Sequence, residues 1–197
     1  MKNLSKIALV VSLTLSGAAF AAGPNATEAV QRDVNQQQRV EQGLQSGALT
    51  TKEAGKIEKD EAKVNRQEAR DLKNGKISAS EQAKLTAEQN KVSKEIYADK
   101  HNAAVGNPNS KSSERMQADV QRNVNQEKRI EQGAKSGSLT NKEVGSLERG
   151  QARVDQKEAN AAKNGHVSAA EQGSIQSSEN RQSKRIFNKK HNAVKSK

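Results

Sequence analysis

Cysteine and tryptophan are absent from all 197 residues. Disulfides and thiolate metal sites are therefore excluded, and so is a lipid anchor on cysteine. Proline occurs only as Pro24 and Pro108, so long stretches contain nothing that breaks a helix. Aromatic residues make up 2%, which with the lack of a recognition motif argues against nucleic acid as a partner. Core-forming residues are scarce too. Beyond the first two dozen positions, Leu, Ile, Val and Phe supply roughly a seventh of the chain, below the about one-fifth of a well-packed globule. Also missing are a Gly-x-Ser-x-Gly elbow, a phosphate-binding glycine loop and a His-Glu-x-x-His pair. Nothing in the sequence signals an enzyme.

What is present begins with an export signature. Lys2 and Lys6 precede an apolar run at 7–15, and Ala19-Phe20-Ala21 fits the small-x-small cleavage rule. Residues 1–21 read as a signal peptide cut after Ala21, which predicts a periplasmic protein. The run is too short to span a bilayer, and no second one follows, so no transmembrane anchor is expected. The formal charge is +11. Loss of Lys2 and Lys6 leaves 32 − 23 = +9.

The rest is one unit written twice. Residues 30–104 align without gaps to 120–194, with roughly half the positions identical. Gly47 matches Gly137, Gly75 matches Gly165, Tyr97 matches Phe187 and His101 matches His191. The units are placed at 28–102 and 118–194, with a linker at 103–117 containing Gly106 and Pro108. Apolar spacings of three, four and seven predict helices at about 28–45, 50–73 and 78–100 in the first unit. Glu61 and Glu68 fall among Ile57, Val64 and Leu72 on the second helix, and Gln89 lies between Leu85 and Val92. Such interruptions predict weakly packed, hydrated seams. The expected fold is all-α: two tandem three-helix units, antiparallel hairpins or bundles, joined by a flexible linker.

The turns between helices repeat the pattern Gly, any residue, aliphatic, Ser/Thr, two residues, Glu. Gly can end one helix in the left-handed conformation. Thr50 or Ser78 then caps the next, and Glu53 or Glu81 closes a capping box. The same four features match the second half of an EF-hand loop. A calcium reading makes Glu53, Glu81, Glu143 and Glu171 the ligands, with Asn74 and Asn164 beside the glycines. Against it, the first half of each loop lacks carboxylates: position one would be Gln42, Arg70, Gln132 or Asn160. The capped turn explains every matching residue without an ion, so no cofactor is expected beyond this possible calcium. His101 and His191 read as exposed helix-end histidines, the alternative being a metal site bridging the units.

Charge is uneven between the copies. Residues 28–104 balance at 14 − 13 = +1, whereas 118–194 carry 14 − 9 = +5. Arg181, Lys184, Arg185, Lys189 and Lys190, with Lys195 and Lys197, form a basic tail that can attract anionic surfaces or acidic unfolded chains; the bland reading is a solvated helix face. Tyr97 and Phe187 each close an apolar face. A lone aromatic there serves most simply as a core plug, and as a client-binding side chain if exposed.

Two resemblances follow from these motifs. Arg39 to Gly43, Ser46 to Glu53, Gly75 to Glu81 and Lys100 to Asn102, repeated in the second copy, resemble the shared pattern of uncharacterised proteobacterial exported helical-repeat proteins with degenerate EF-hand-like turns. Leu85-Thr86-Ala87-Glu88-Gln89 resembles the Leu-Thr-x-x-Gln motif of Spy/CpxP-type periplasmic stress proteins, whose members bind unfolded clients or a sensor; Ile175 to Glu179 lacks it. Together these readings predict a non-catalytic periplasmic binding or protective protein, chaperone-like or stress-related. Its partners would be unfolded clients or an anionic envelope surface. The alternatives are divalent-cation binding through the turns and a structural envelope role.

Overall fold

The computed structural model describes residues 26–193. The expected signal peptide, and Lys195 and Lys197 of the tail, lie outside the described residues. Six helices account for the architecture: α1 Ala26–Ser46, α2 Thr51–Asp71, α3 Ala79–Lys100, α4 Lys111–Lys135, α5 Asn141–Ala162 and α6 Ala169–Lys190. A single 3-10 turn, Leu72–Asn74, extends α2. The fold is all-α, with no strand among the described residues.

Local chemistry sets the helix boundaries where the sequence predicts them. Gly47, Gly75, Gly137 and Gly165 all have positive φ, between 69° and 88°, a conformation that other residues adopt at a steric penalty. Thr50, Ser78, Thr140 and Ser168 each form a complete capping box with the glutamate three residues on. The aliphatic residue before each cap, Leu49, Ile77, Leu139 or Val167, is buried, as a hydrophobic staple requires.

The two three-helix copies pack against each other. The most extensive contact joins α2 to α5, and the next joins α1 to α4. Within a copy, the first and second helices touch far less. One apolar cluster runs through both units, from Val30 and Ile57 to Leu147 and Ile175. Helices α3 and α6 each cover the outside of their own copy. The connection is also shorter than the predicted 103–117, because α4 starts at Lys111. It is tied down as well: Gly106 N donates to Gly47 O at 2.8 Å.

Close approach of α2 and α5 depends on glycine. A Cβ on Gly55 would lie 2.4 Å from Ala162 Cβ, and one on Gly145 would lie 2.7 Å from Leu72 Cβ. These two contacts are copies of each other, since Gly55 corresponds to Gly145 and Leu72 to Ala162. They place an approximate two-fold axis near the middle of the α2–α5 pair, where Asn65 Nδ2 donates to its own counterpart, Asp155 Oδ2, at 2.8 Å. Gly55→Val should therefore destabilise by about 2–3 kcal/mol through overpacking. Gly173→Ala, in a helical position with nothing within 4 Å, should stabilise by about 0.5–1 kcal/mol. Urea unfolding of the two variants should move in opposite directions.

Candidate metal centre

The faces that α1, α2, α4 and α5 turn toward one another carry acids. Helix α2 contributes Glu58, Glu61 and Glu68, and α5 contributes Glu148, Asp155 and Glu158. Asp33 comes from α1 and Glu127 from α4. On α2 the spacing is three, then seven, with Asn65 filling the step between; this keeps the set on one stripe of the helix. All eight are buried, none more than 2% exposed, and no lysine, arginine or histidine is buried among the described residues. The stripes predicted to be hydrated seams are thus closed by the other copy, and Glu61 and Glu68 lie in the interior.

Two groups have converging ligand atoms. Asp33, Glu68 and Glu148 bring carboxylate oxygens within 4.8 Å of one another, and so do Glu58, Asp155 and Glu158. The two-fold relation links them: Glu68 corresponds to Glu158 and Glu148 to Glu58. The pairing is imperfect in one informative way. Asp33 corresponds to Asn123, and Glu127 to Gln37. At these two positions one half has carboxylates where the other has amides, and the exchange runs the other way at Asn65, whose counterpart is Asp155.

The amides around these acids bind one oxygen and leave the other. Gln89 Nε2 donates to Asp33 Oδ1 at 2.8 Å, Gln37 Nε2 to Glu58 Oε2 at 2.9 Å, and Asn123 Nδ2 to Glu158 Oε2 at 2.7 Å. No N–H or hydroxyl donor reaches Asp33 Oδ2, Glu58 Oε1 or Glu158 Oε1, or either oxygen of Glu61, Glu68 or Glu148; where acids meet, at Asp33–Glu68, Glu58–Glu158 and Glu127–Glu148, a shared proton is the hydrogen bond they make without an ion. An oriented carboxylate with one free inward oxygen is what an outer shell provides around a metal ligand. It is also a costly arrangement without an ion, because each free oxygen is desolvated.

Burial governs the protonation of the cluster. It pushes Asp33 from 3.8 to about 7 and Glu58 from 4.5 to about 7, although hydrogen bonds from Gln89 and Gln37 pull the other way. Glu61, Glu68, Glu127, Glu148, Asp155 and Glu158 are raised well above their ordinary values, by burial first and then by neighbouring carboxylates. At the rim Glu179 is raised by burial to about 8, and Arg122 Nε approaches it at 2.9 Å. The donor set is oxygen only. It suits hard cations such as Mn²⁺, Ca²⁺ or Mg²⁺, rather than metals that prefer nitrogen or sulfur.

The turn residues do other work. Glu53 Oε2 accepts from Thr50 N and Oγ1, and its Oε1 accepts from Asn102 Nδ2 at 2.7 Å. Glu143 repeats this with Thr140 and Asn192. Glu81 and Glu171 accept from Ser78 and Ser168, and those bonds hold both pKa values down. Asn74 and Asn164 accept from backbone N–H groups two residues on. Each group serves its own helix start, as the capped-turn reading requires, and all four boxes are complete without an ion.

The aromatics are not core plugs. Tyr97 is 62% exposed and Phe187 55%, each stacked on the histidine one turn later with ring centroids 4.2 Å apart. His101 and His191 cap the ends of α3 and α6 and are exposed. In the basic tail, Lys184 is exposed, Lys189 and Lys190 are half-buried, and Arg181 and Arg185 flank a groove against α5. No helix among the described residues is long and apolar enough to cross a membrane. No family model matches this sequence, and neither the curated proteins nor the solved structures offer a match.

Proposed function

We propose that this chain is a non-catalytic binding protein for hard divalent cations, held between its two copies by the carboxylates of α1, α2, α4 and α5. The observation that carries this reading is the pair of buried triads, Asp33–Glu68–Glu148 and Glu58–Asp155–Glu158, with oxygens that no N–H or hydroxyl donor reaches. A bound cation would supply the positive charge that the interior otherwise lacks. It would also join the two copies, since each triad draws on both. The position is closed to solvent, which favours holding an ion over turning over a substrate. If the chain is exported as its first residues suggest, the role is cation buffering or protection in the envelope.

A client-binding role draws less support, because the aliphatic seams it would use are buried, although Tyr97 and Phe187 are exposed as that role would need. Titration calorimetry of chelator-treated protein with Mn²⁺, Ca²⁺ and Mg²⁺ tests the proposal. At least one ion should bind with release of protons, and binding should tighten as pH rises, because the carboxylates must be deprotonated to ligate. Binding that survives Glu68→Gln with Glu148→Gln, but is lost when Glu53 and Glu143 are changed to Gln, would move the site to the turns and end this proposal.

A further inference from the structure

The duplication provides an internal comparison for a groove between α5 and α6. Where α5 meets α6, a cavity of about 530 Å³ is lined by Arg66, Arg153, Lys157, Arg181 and Arg185. It adjoins a second hollow bounded by Arg66, Arg70, Arg149 and Arg153. No carboxylate lines either hollow, and none of these cations is ion-paired among the described residues.

The equivalent position in the first copy, between α2 and α3, is a smaller hollow of about 240 Å³ lined by Asp60, Lys63, Glu88, Lys91, Val92 and Glu95. There every acid has a cation: Lys63 pairs with Asp60, Lys91 with Glu88 and Lys56 with Glu95. The second copy keeps two of those cations as the forked guanidiniums Arg153 and Arg181. It replaces the three acids with Gly150, Ser178 and Arg185. Charge reversal at one position and loss at two others convert a neutralised surface into a bare cationic groove.

The replacements also shape the groove. A Cβ on Gly150 would lie 2.0 Å from Gln182 Oε1 and 2.6 Å from Arg185 Nη1. The missing side chain lets Gln182 and Arg185 lie across α5. There Gln182 Nε2 donates to Leu147 O and Arg185 Nη2 donates to Ser146 O, both at 2.8 Å. Arg185 is thus held in place beside Arg153 and Arg149 despite their repulsion. Arg181 donates to Ser177 Oγ and Ser178 Oγ, and Arg185 to Gln182 Oε1 and Ser146 O, which positions both guanidiniums without neutralising them; guanidiniums with no carboxylate partner are the groups that bind phosphate oxygens in bidentate fashion.

We propose that the α5–α6 groove is an anion site for a ligand carrying two or more phosphate groups, clamped by Arg153, Arg181 and Arg185. The ligand is either a soluble polyphosphate or the phosphorylated headgroup of a lipid. The site is independent of the carboxylate centre. Calorimetry of the metal-free full chain with sodium tripolyphosphate should show binding that weakens with salt. Arg153→Gln with Arg181→Gln, both at exposed positions, should weaken it by roughly tenfold or more. Ser178→Glu, which restores the acid of the first copy, should weaken it independently. Co-sedimentation with phosphatidylcholine vesicles containing phosphatidic acid separates the sources. Vesicle binding competed by tripolyphosphate assigns a lipid headgroup, and tripolyphosphate binding without vesicle binding assigns a soluble ligand. No binding to either probe at low salt, or binding unchanged in the arginine variant while circular dichroism shows an intact fold, would overturn the proposal.

Discussion

Between about pH 5 and pH 8, Asp33 and Glu58 alone should cost chelator-treated protein on the order of 5 kcal/mol of unfolding free energy, measured by urea unfolding at a series of pH values. The direction follows from the raised pKa values. In the unfolded chain Asp33 and Glu58 titrate near 3.8 and 4.5, and in the fold each titrates at about 7. Below the unfolded values both states hold the proton, and stability is at its full value. As pH rises, the unfolded chain ionises first while the folded chain keeps its protons, so stability falls until the folded pKa is passed. Glu179, raised to about 8, extends the decline upward. The loss is comparable with the whole stability of many domains, about 5–15 kcal/mol, so the metal-free protein should be least stable on the alkaline side. Most proteins with paired carboxylates behave in the opposite way. A ligating cation should offset about half of that loss, adding about 2.7 kcal/mol at a hundred times its dissociation constant. A flat stability profile in chelator, with or without added Mn²⁺, would show that the interior acids are neither strained nor ligating.

Local features of this fold were legible in the sequence, and the centre was not, for a physical reason. Helix ends are set by groups within a few residues of one another. The Gly75, Ile77, Ser78 and Glu81 pattern therefore announced a left-handed stop, a staple and a capping box that the structure contains. Burial of Glu61 and Glu68 is set by residues some ninety positions away. Considered within one copy, those glutamates interrupt an apolar stripe that has a single neighbour, and water is their natural partner. Packing of α5 against α2 removes that water. A signal was nonetheless present. Carboxylates or amides recur at 58, 61, 65 and 68, and again at 148, 151, 155 and 158, with no lysine or arginine at any of the eight positions. A solvated helix face mixes signs; an acidic and amide stripe that excludes cations through a duplication is a buried polar seam. The aromatics failed the other way. Tyr97 follows Ile96, which fills the core position, so the ring next to it points outward onto His101.

Replacing Glu68 and Glu148 together with Gln should stabilise the metal-free protein at pH 8 by about 2–4 kcal/mol and weaken divalent-cation binding at the Asp33–Glu68–Glu148 triad at least a hundredfold, leaving the Glu58–Asp155–Glu158 triad its own ligands. The two effects have one cause. Each glutamate is fully buried with no N–H or hydroxyl donor to either oxygen, and each meets another acid, Glu68 at Asp33 and Glu148 at Glu127. Glutamine keeps the shape, removes the ionisable group, and offers an N–H₂ donor where two acceptors had faced each other. The bare fold gains a hydrogen bond and loses a repulsion. The cation loses two anionic ligands of the Asp33–Glu68–Glu148 triad and keeps only neutral oxygens in their place. A merely structural role for these acids would move both readouts together: the variant would unfold more easily, and ion binding would weaken only as far as the fold did. Opposite signs in the same molecule, a higher melting temperature in chelator and a lower affinity for Mn²⁺, are what a metal centre requires. Glu61→Gln separates the contributions further, because Glu61 is buried among the acids yet belongs to neither triad. That variant should raise metal-free stability while leaving ion affinity within about threefold, since long-range charge alone is altered.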